Sequence, residues 1–256
     1  MTGMAAIAAI VAALDLPPRA RVDTRVPKKM LVEQGAPTTA DKRAIQDGVD
    51  EIHWLAALKP NTIAIPAFTD EIHDYSEIAV IAATFRPDAR ATRLTELIHR
   101  AIPYPVLLIT TGPGGVAVSV APKRAAQNES GKNVLERVAV AGGLDPLEPH
   151  DIVRAFLTSL TLKSQPARNL STVYDGWNTR IEAYNASRLT GGYAVADNVK
   201  SVAARRAALD AHARLTKEIK SLRAKAKREQ QLGRRVELNM EIQRREADLV
   251  ENAKWL

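Results

Sequence analysis

Histidine is the side chain most often used for metal ligation and for proton transfer near neutral pH. His53, His73, His99, His150 and His212 are scattered through 256 residues without an HxH or HExxH spacing. No two of them are therefore set on one helix or strand face as a metal pair requires. His73 lies among Asp70, Glu71 and Asp74, a grouping that could hold a hard cation but that also describes an ordinary polar loop. The loop reading is preferred, and no metal or cofactor is expected. Gly112-Pro113-Gly114-Gly115 lacks the GxGxxG and GxxxxGK[ST] orders that wrap backbone amides around phosphate, so it reads as a hairpin turn. A metal-dependent nuclease needs two acids and a lysine converging on adjacent strands. The stretch opening at Glu77 brings one acid and no acid-x-Lys triplet, and the hairpin ends in Pro122-Lys123-Arg124 without a nearby carboxylate. No GxSxG elbow and no cysteine are present, which removes the common covalent hydrolase and thiol chemistries. No catalytic residue is assigned.

Charge is the stronger signal. The chain carries a formal net charge of +7. Between Arg214 and Arg235 stand nine cations (Arg214, Lys217, Lys220, Arg223, Lys225, Lys227, Arg228, Arg234, Arg235) against Glu218 and Glu229. That block accounts for the whole net charge, and after Val236 the sign reverses, with five acids against Arg244, Arg245 and Lys254. Such a block either meets phosphates or an acidic partner surface, by counterion release, or is the solvated face of a surface helix. These nine residues are the candidate nucleic-acid or partner-binding site.

The elements that position them can be read from periodicity. Met4–Leu14 places Ile7, Ile10, Val11 and Leu14 at helical spacing, and with no cation ahead of it reads as a packing helix rather than a targeting segment. Lys28-Lys29 reads as a solvated helix start. Thr38 and Asp41 form a capping-box-like start to a helix whose stripe is Ile45, Val49, Ile52 and Ala56, closed by Pro60-Asn61. Trp54 is expected to anchor the core, and Thr62–Pro66 to form a short strand. Glu77–Phe85 is a nearly continuous apolar run, as in a strand covered on both faces. A helix carrying Leu94, Leu97, Ile98 and Ala101, a strand Val106–Thr111 and a returning strand Val116–Ala121 complete a β-α-β-β unit. Another strand is expected at Val134–Val140. Helices follow at Asp151–Leu162 and Ser171–Arg188.

The last element, Val199–Lys254, contains no proline and one glycine, Gly233, and reads as one very long helix. Leu215, Ile219, Leu222, Val236, Met240 and Val250 form its apolar seam at alternating spacing, interrupted by Glu229 and Gln243. The seam requires a partner helix. Because the charge reverses midway, pairing is expected to be antiparallel, with a second copy or with an earlier helix of the chain.

Four stretches stand out: Val26-Pro27-Lys28-Lys29; Val49-Asp50-Glu51-Ile52-His53-Trp54 with Leu58-Lys59-Pro60; Ala101-Ile102-Pro103-Tyr104-Pro105-Val106-Leu107; and Lys227-Arg228-Glu229-Gln230-Gln231 with Val236-Glu237-Leu238-Asn239-Met240-Glu241. Together they resemble the uncharacterised bacterial family domain of unknown function 4391. The resemblance implies an accessory subunit of restriction-like, anti-phage loci beside a helicase or DNA methyltransferase, and it implies no catalytic residues.

The expectations are these. The fold is α/β (α+β): a small mixed β-sheet core with a β-α-β-β unit and a helical C-terminal region ending in a long coiled-coil-like helix. Residues 1–145 form the core domain with N-terminal helices, 146–198 a helical segment and 199–256 the basic/acidic helix. The protein is cytoplasmic, as absence of cysteine suggests, with no membrane span. It is a non-enzymatic accessory subunit of a DNA-modification or anti-phage defence assembly. It docks partner proteins, DNA or both, and binds duplex DNA weakly and without sequence preference. A metal-dependent nuclease and a structural self-associating module, for instance a homodimer, are the alternatives.

Overall fold

The computed structural model describes residues 2–125 and 133–256. The chain divides into two compact units, Met1–Ile181 and Glu182–Leu256, so the expected helical segment 146–198 is shared between them.

In the first unit the elements run in this order: α1 (Thr2–Leu14), β1 (Arg21–Arg25), α2 (Lys28–Gly35), α3 (Thr39–Gly48), β2 (Val49–Leu58), α4 (Pro60–Ile63), β3 (Phe68–Thr69), β4 (Asp74–Tyr75), β5 (Ile78–Phe85), α5 (Ala91–Ala101), β6 (Val106–Gly112), β7 (Gly115–Val120), β8 (Lys123–Ala125), β9 (Asn133–Leu135), β10 (Ala139–Leu144), α6 (Asp151–Ser159) and most of α7 (Leu170–Thr190). Six strands make the central sheet, in the order β1-β2-β5-β6-β7-β10. β5 and β6 are parallel across the α5 crossover, and the other neighbours are antiparallel. The fold is therefore mixed α+β around the expected β-α-β-β unit, whose turn uses Gly115 at φ +82, a conformation glycine adopts without strain.

One face of the sheet packs α2, α3 and α5, through Leu31, Ile45, Leu94, Leu97 and Ile98 against Ile52, Ile81, Val106 and Leu108. α1 and α7 cover the other face. Ile10, Leu14, Phe156, Tyr174 and Trp177 are fully buried. The Tyr174 hydroxyl reaches the sheet itself, accepting from Ala121 N–H at 2.8 Å and donating to Val106 O at 2.9 Å. Trp54 packs half-buried against the α5 face and donates from Nε1 to Ala56 O at 2.8 Å.

Several expectations are corrected. The stripe Ile45, Val49, Ile52 and Ala56 is not one helix: α3 stops at Gly48 and Val49–Leu58 is a strand. Bulges between Val49 and Glu51 and between Trp54 and Ala56 reset the alternation of β2, so Val49, Ile52 and Ala56 are buried three and four positions apart and imitate helical spacing. Pro60–Ile63 is a single helical turn where Thr62–Pro66 had read as a strand. It is held by the Thr62 hydroxyl, which accepts from Lys59 N–H at 2.8 Å and donates to Ala57 O at 2.9 Å. The expected strand Val134–Val140 is two, β9 paired with β8 and β10 at the sheet edge. The opposite edge, β1, is wholly exposed, and Asp23 at φ +49 accompanies a register shift between Arg21 and Thr24 that spoils its edge for strand addition.

The second unit holds the end of α7, then α8 (Val199–Arg228) and α9 (Leu232–Asn252). The single helix expected over 199–254 is thus interrupted at Glu229–Gln231, and its two parts fold back on each other.

Candidate docking surface on the helical hairpin

α8 starts on Asn198, whose side chain accepts from Ser201 N–H at 2.9 Å, and runs for 30 residues. Neither proline nor glycine marks its end. Glu229 leaves the helix in extended conformation, and its carboxylate accepts from Gln231 N–H at 2.8 Å, closing the turn. Gly233, the one glycine of the stretch, is inside α9.

Burial explains the turn. Folding back sets Ile219, Leu222 and Ala226 of α8 against Leu238, Ile242 and Leu249 of α9. One continuous exposed helix would have left both halves of this surface in water. Charge follows the same arrangement. Arg223 meets Glu246 at 2.6 Å, and Arg245 meets Glu218 at 3.4 Å. At the open end Asn252 Nδ2 donates to Ala208 O at 2.8 Å, and Arg205 Nε donates to Leu256 O at 3.0 Å. Glu182, almost wholly buried, pairs with Arg206 at 2.7 Å and fixes the end of α7 to α8.

The antiparallel sense is as expected, but the partner is the other half of the same stretch rather than a second copy or an earlier helix. The seam is also revised. Leu215 and Ile219 are buried and Leu222 is half-buried, whereas Val236 (50% exposed), Met240 (52%) and Val250 (70%) face solvent. α9 turns Leu238, Ile242 and Leu249 inward instead, because in the fold-back register these residues, one or two positions along the chain from the expected seam, oppose α8.

The cations are now placed. Arg223 is tied to Glu246; among the described residues none of Arg214, Lys217, Lys220, Lys225, Lys227, Arg228, Arg234 and Arg235 lies within ion-pair distance of an acid. All eight are exposed. At 100° per residue those of α8 occupy the side opposite Leu215, Ile219, Leu222 and Ala226. From Arg214 to Arg228 they cover about 21 Å of helix at 1.5 Å per residue. Near the tip Lys225, Arg228, Arg234 and Arg244 line an open groove, together with Glu229, Glu237 and Glu241.

The other chemical candidates do not converge. Among the described residues no three His, Asp or Glu side chains gather as a cation would need. His73 bonds Asp70 at 3.0 Å and approaches Glu136 at 4.0 Å, while Glu71 and Asp74 stay outside. Asp70 is held below its ordinary pKa by the His73 hydrogen bond and by backbone N–H groups. Glu77 is buried and paired with Lys59 at 2.7 Å, which raises the lysine pKa.

Two groups to which the sequence assigned no role turn out to be buried. Lys123 donates to Ile102 O and, at 2.5 Å, to Tyr104 O, so it caps the C-terminal end of α5. Burial pushes its pKa down to about 7. His99, without exposed surface, pairs with Ser119 Oγ at 3.0 Å, and burial first, with Lys123 second, lowers it to about 3. The helical stripe of α5 was the available signal: His99 falls one position after Ile98, beside the apolar stripe.

No helix among the described residues is long and apolar enough to cross a membrane. No curated protein and no solved structure matches the chain. The family model described as Domain of unknown function (DUF4391) matches residues 14–249, which include every element from β1 to the seam of α9. The chain belongs to the DUF4391 family.

Proposed function

We propose that this protein is a non-enzymatic accessory subunit that docks on nucleic acid through the outer face of α8, within a DNA-modification or anti-phage defence assembly of the bacterial cytoplasm. The observation that carries the reading is the eight exposed cations of the hairpin that have no acid within ion-pair distance among the described residues, most of them on one side of a rigid helix. Cations already neutralised by neighbouring acids release few counterions from DNA, whereas these would release many. The block has no aromatic residue for stacking on bases, which favours duplex backbone contacts without sequence preference. A helicase or DNA methyltransferase would be the protein partner, as the family's associations imply. The nuclease alternative lacks a comparable observation, since Glu77 is engaged with Lys59.

Fluorescence anisotropy with labelled duplexes of unrelated sequence tests the reading. Binding should weaken steeply between about 50 and 200 mM salt, with a log–log slope near −5 if about six phosphates are contacted. Replacing Lys217, Lys220, Lys227 and Arg228 by Glu touches no ion pair of the hairpin and should abolish binding while leaving the circular dichroism unchanged. Equal affinity of wild type and variant would overturn the proposal and leave an acidic protein surface as the ligand of this face.

A further inference from the structure

We infer that α9 carries a second helix-pairing face through which two copies of this chain associate, α9 against α9 in the antiparallel sense. This inference does not depend on nucleic-acid binding, because it concerns the outer face of the other helix.

The fold-back leaves α9 with two apolar stripes. Leu238, Ile242 and Leu249 are spent on α8. Roughly 100–180° around the helix lie Leu232, Val236, Met240, Ala247 and Val250, all exposed, with Gln243 between them. Val236, Met240, Gln243, Ala247 and Val250 follow 4-3-4-3 spacing, the period of a helix seam. A narrow apolar row of this kind is suited to one further helix.

Flanking charges select a second copy as that helix. Glu237 and Arg244 border the stripe on the same side. Glu237 is in no ion pair among the described residues, and Arg244 only approaches Glu241 at 3.9 Å. Antiparallel pairing can set Val236 of each chain against Ala247 of the other, and Met240 against Gln243. In that register Glu237 comes beside Arg244 of the second copy, and the two-fold axis repeats the pair. A parallel pairing would instead put Glu246 beside Glu251 of the second copy, a like-charge contact. Each hairpin would contribute two helices, so the dimer is a four-helix layer in the order α8-α9-α9-α8, in which both stripes of α9 are covered.

Sedimentation equilibrium of the full chain from about 1 to 300 µM should show a reversible monomer–dimer equilibrium. Met240→Glu combined with Val250→Glu alters only exposed positions and should shift the chain to monomer, with unchanged circular dichroism. Glu237→Arg should weaken the dimer by roughly three- to tenfold, the effect of two surface ion pairs, and adding Arg244→Glu should restore it. The chain has no cysteine, so orientation can be read by disulfide trapping. Met240→Cys mixed with Gln243→Cys should cross-link between chains faster than Val250→Cys alone. A monomer at every concentration, a dimer indifferent to the Met240/Val250 change, or preferential self-cross-linking at Val250→Cys would each overturn the inference.

Discussion

The Tyr174 hydroxyl donates a 2.9 Å hydrogen bond to the carbonyl of Val106, 68 residues earlier, at the first residue of β6. The same oxygen accepts from Ala121 N–H just beyond β7, so one phenol ties α7 to two neighbouring strands. Burial raises its pKa well above the ordinary phenol value, and it stays protonated and able to donate. Tyr174→Phe keeps the ring and strands a buried donor and a buried acceptor. Urea unfolding of the first unit should show a loss of about 2 kcal/mol. Hydrogen exchange of the hairpin amides should not change.

Two glycines should respond to alanine with opposite signs. A Cβ on Gly35 would lie 2.6 Å from Ala101 Cβ and 2.7 Å from Leu97 O, where α2 crosses α5, and backbone cannot yield cheaply. Gly35→Ala should cost about 2 kcal/mol in overpacking. A Cβ on Gly233 meets nothing within 4 Å, so Gly233→Ala should stabilise the helix by up to about 1 kcal/mol. Thermal unfolding of the two variants beside wild type decides both.

Lys123 and His99 should give stability a pH dependence in two separate windows. Between about pH 7 and the ordinary lysine value of 10.5, the unfolded chain holds a proton at Lys123 that the folded chain has released. Stability from this group therefore rises with pH across that window. Between 6.5 and about 3 the unfolded chain protonates His99 while the folded chain keeps it neutral, so stability falls as the solution is acidified. Urea midpoints should show each slope reduced by up to one proton, the alkaline one in Lys123→Met and the acidic one in His99→Gln. Slopes indistinguishable from wild type would mean that these groups are more hydrated than their burial implies.

Ile242 is the most buried residue of α9 and packs on Ile219 and Ala226. Ile242→Ala should cost the hairpin about 2–4 kcal/mol. Protection of amides in 199–252 should fall in hydrogen exchange while that of β5 and β6 is kept, since these strands belong to the other compact unit.

Local pattern alone was enough for the elements whose burial is continuous or strictly periodic. The run Glu77–Phe85, the stripe of α5, the strand after Pro105 and the Gly112–Gly115 turn were all legible, because each is specified by residues within a few positions of one another. The cap at Thr38 was equally legible: Thr38 Oγ1 accepts from Asp41 N–H at 3.1 Å. The charge block and the reversal after Val236 were visible, and with them the antiparallel sense of pairing. Tertiary structure decided the remainder. β2 was misread since its bulges, which exist only in register with β1 and β5, give a strand the period of a helix. The break at Glu229–Gln231 carries no local signal and follows from burying Ile219 against Ile242. Periodicity shows how many residues can share a face but not which stripe a neighbour will take. Val236, Met240 and Val250 therefore read as part of the pairing seam of one long helix, and packing against α8 turned Leu238, Ile242 and Leu249 inward in their place.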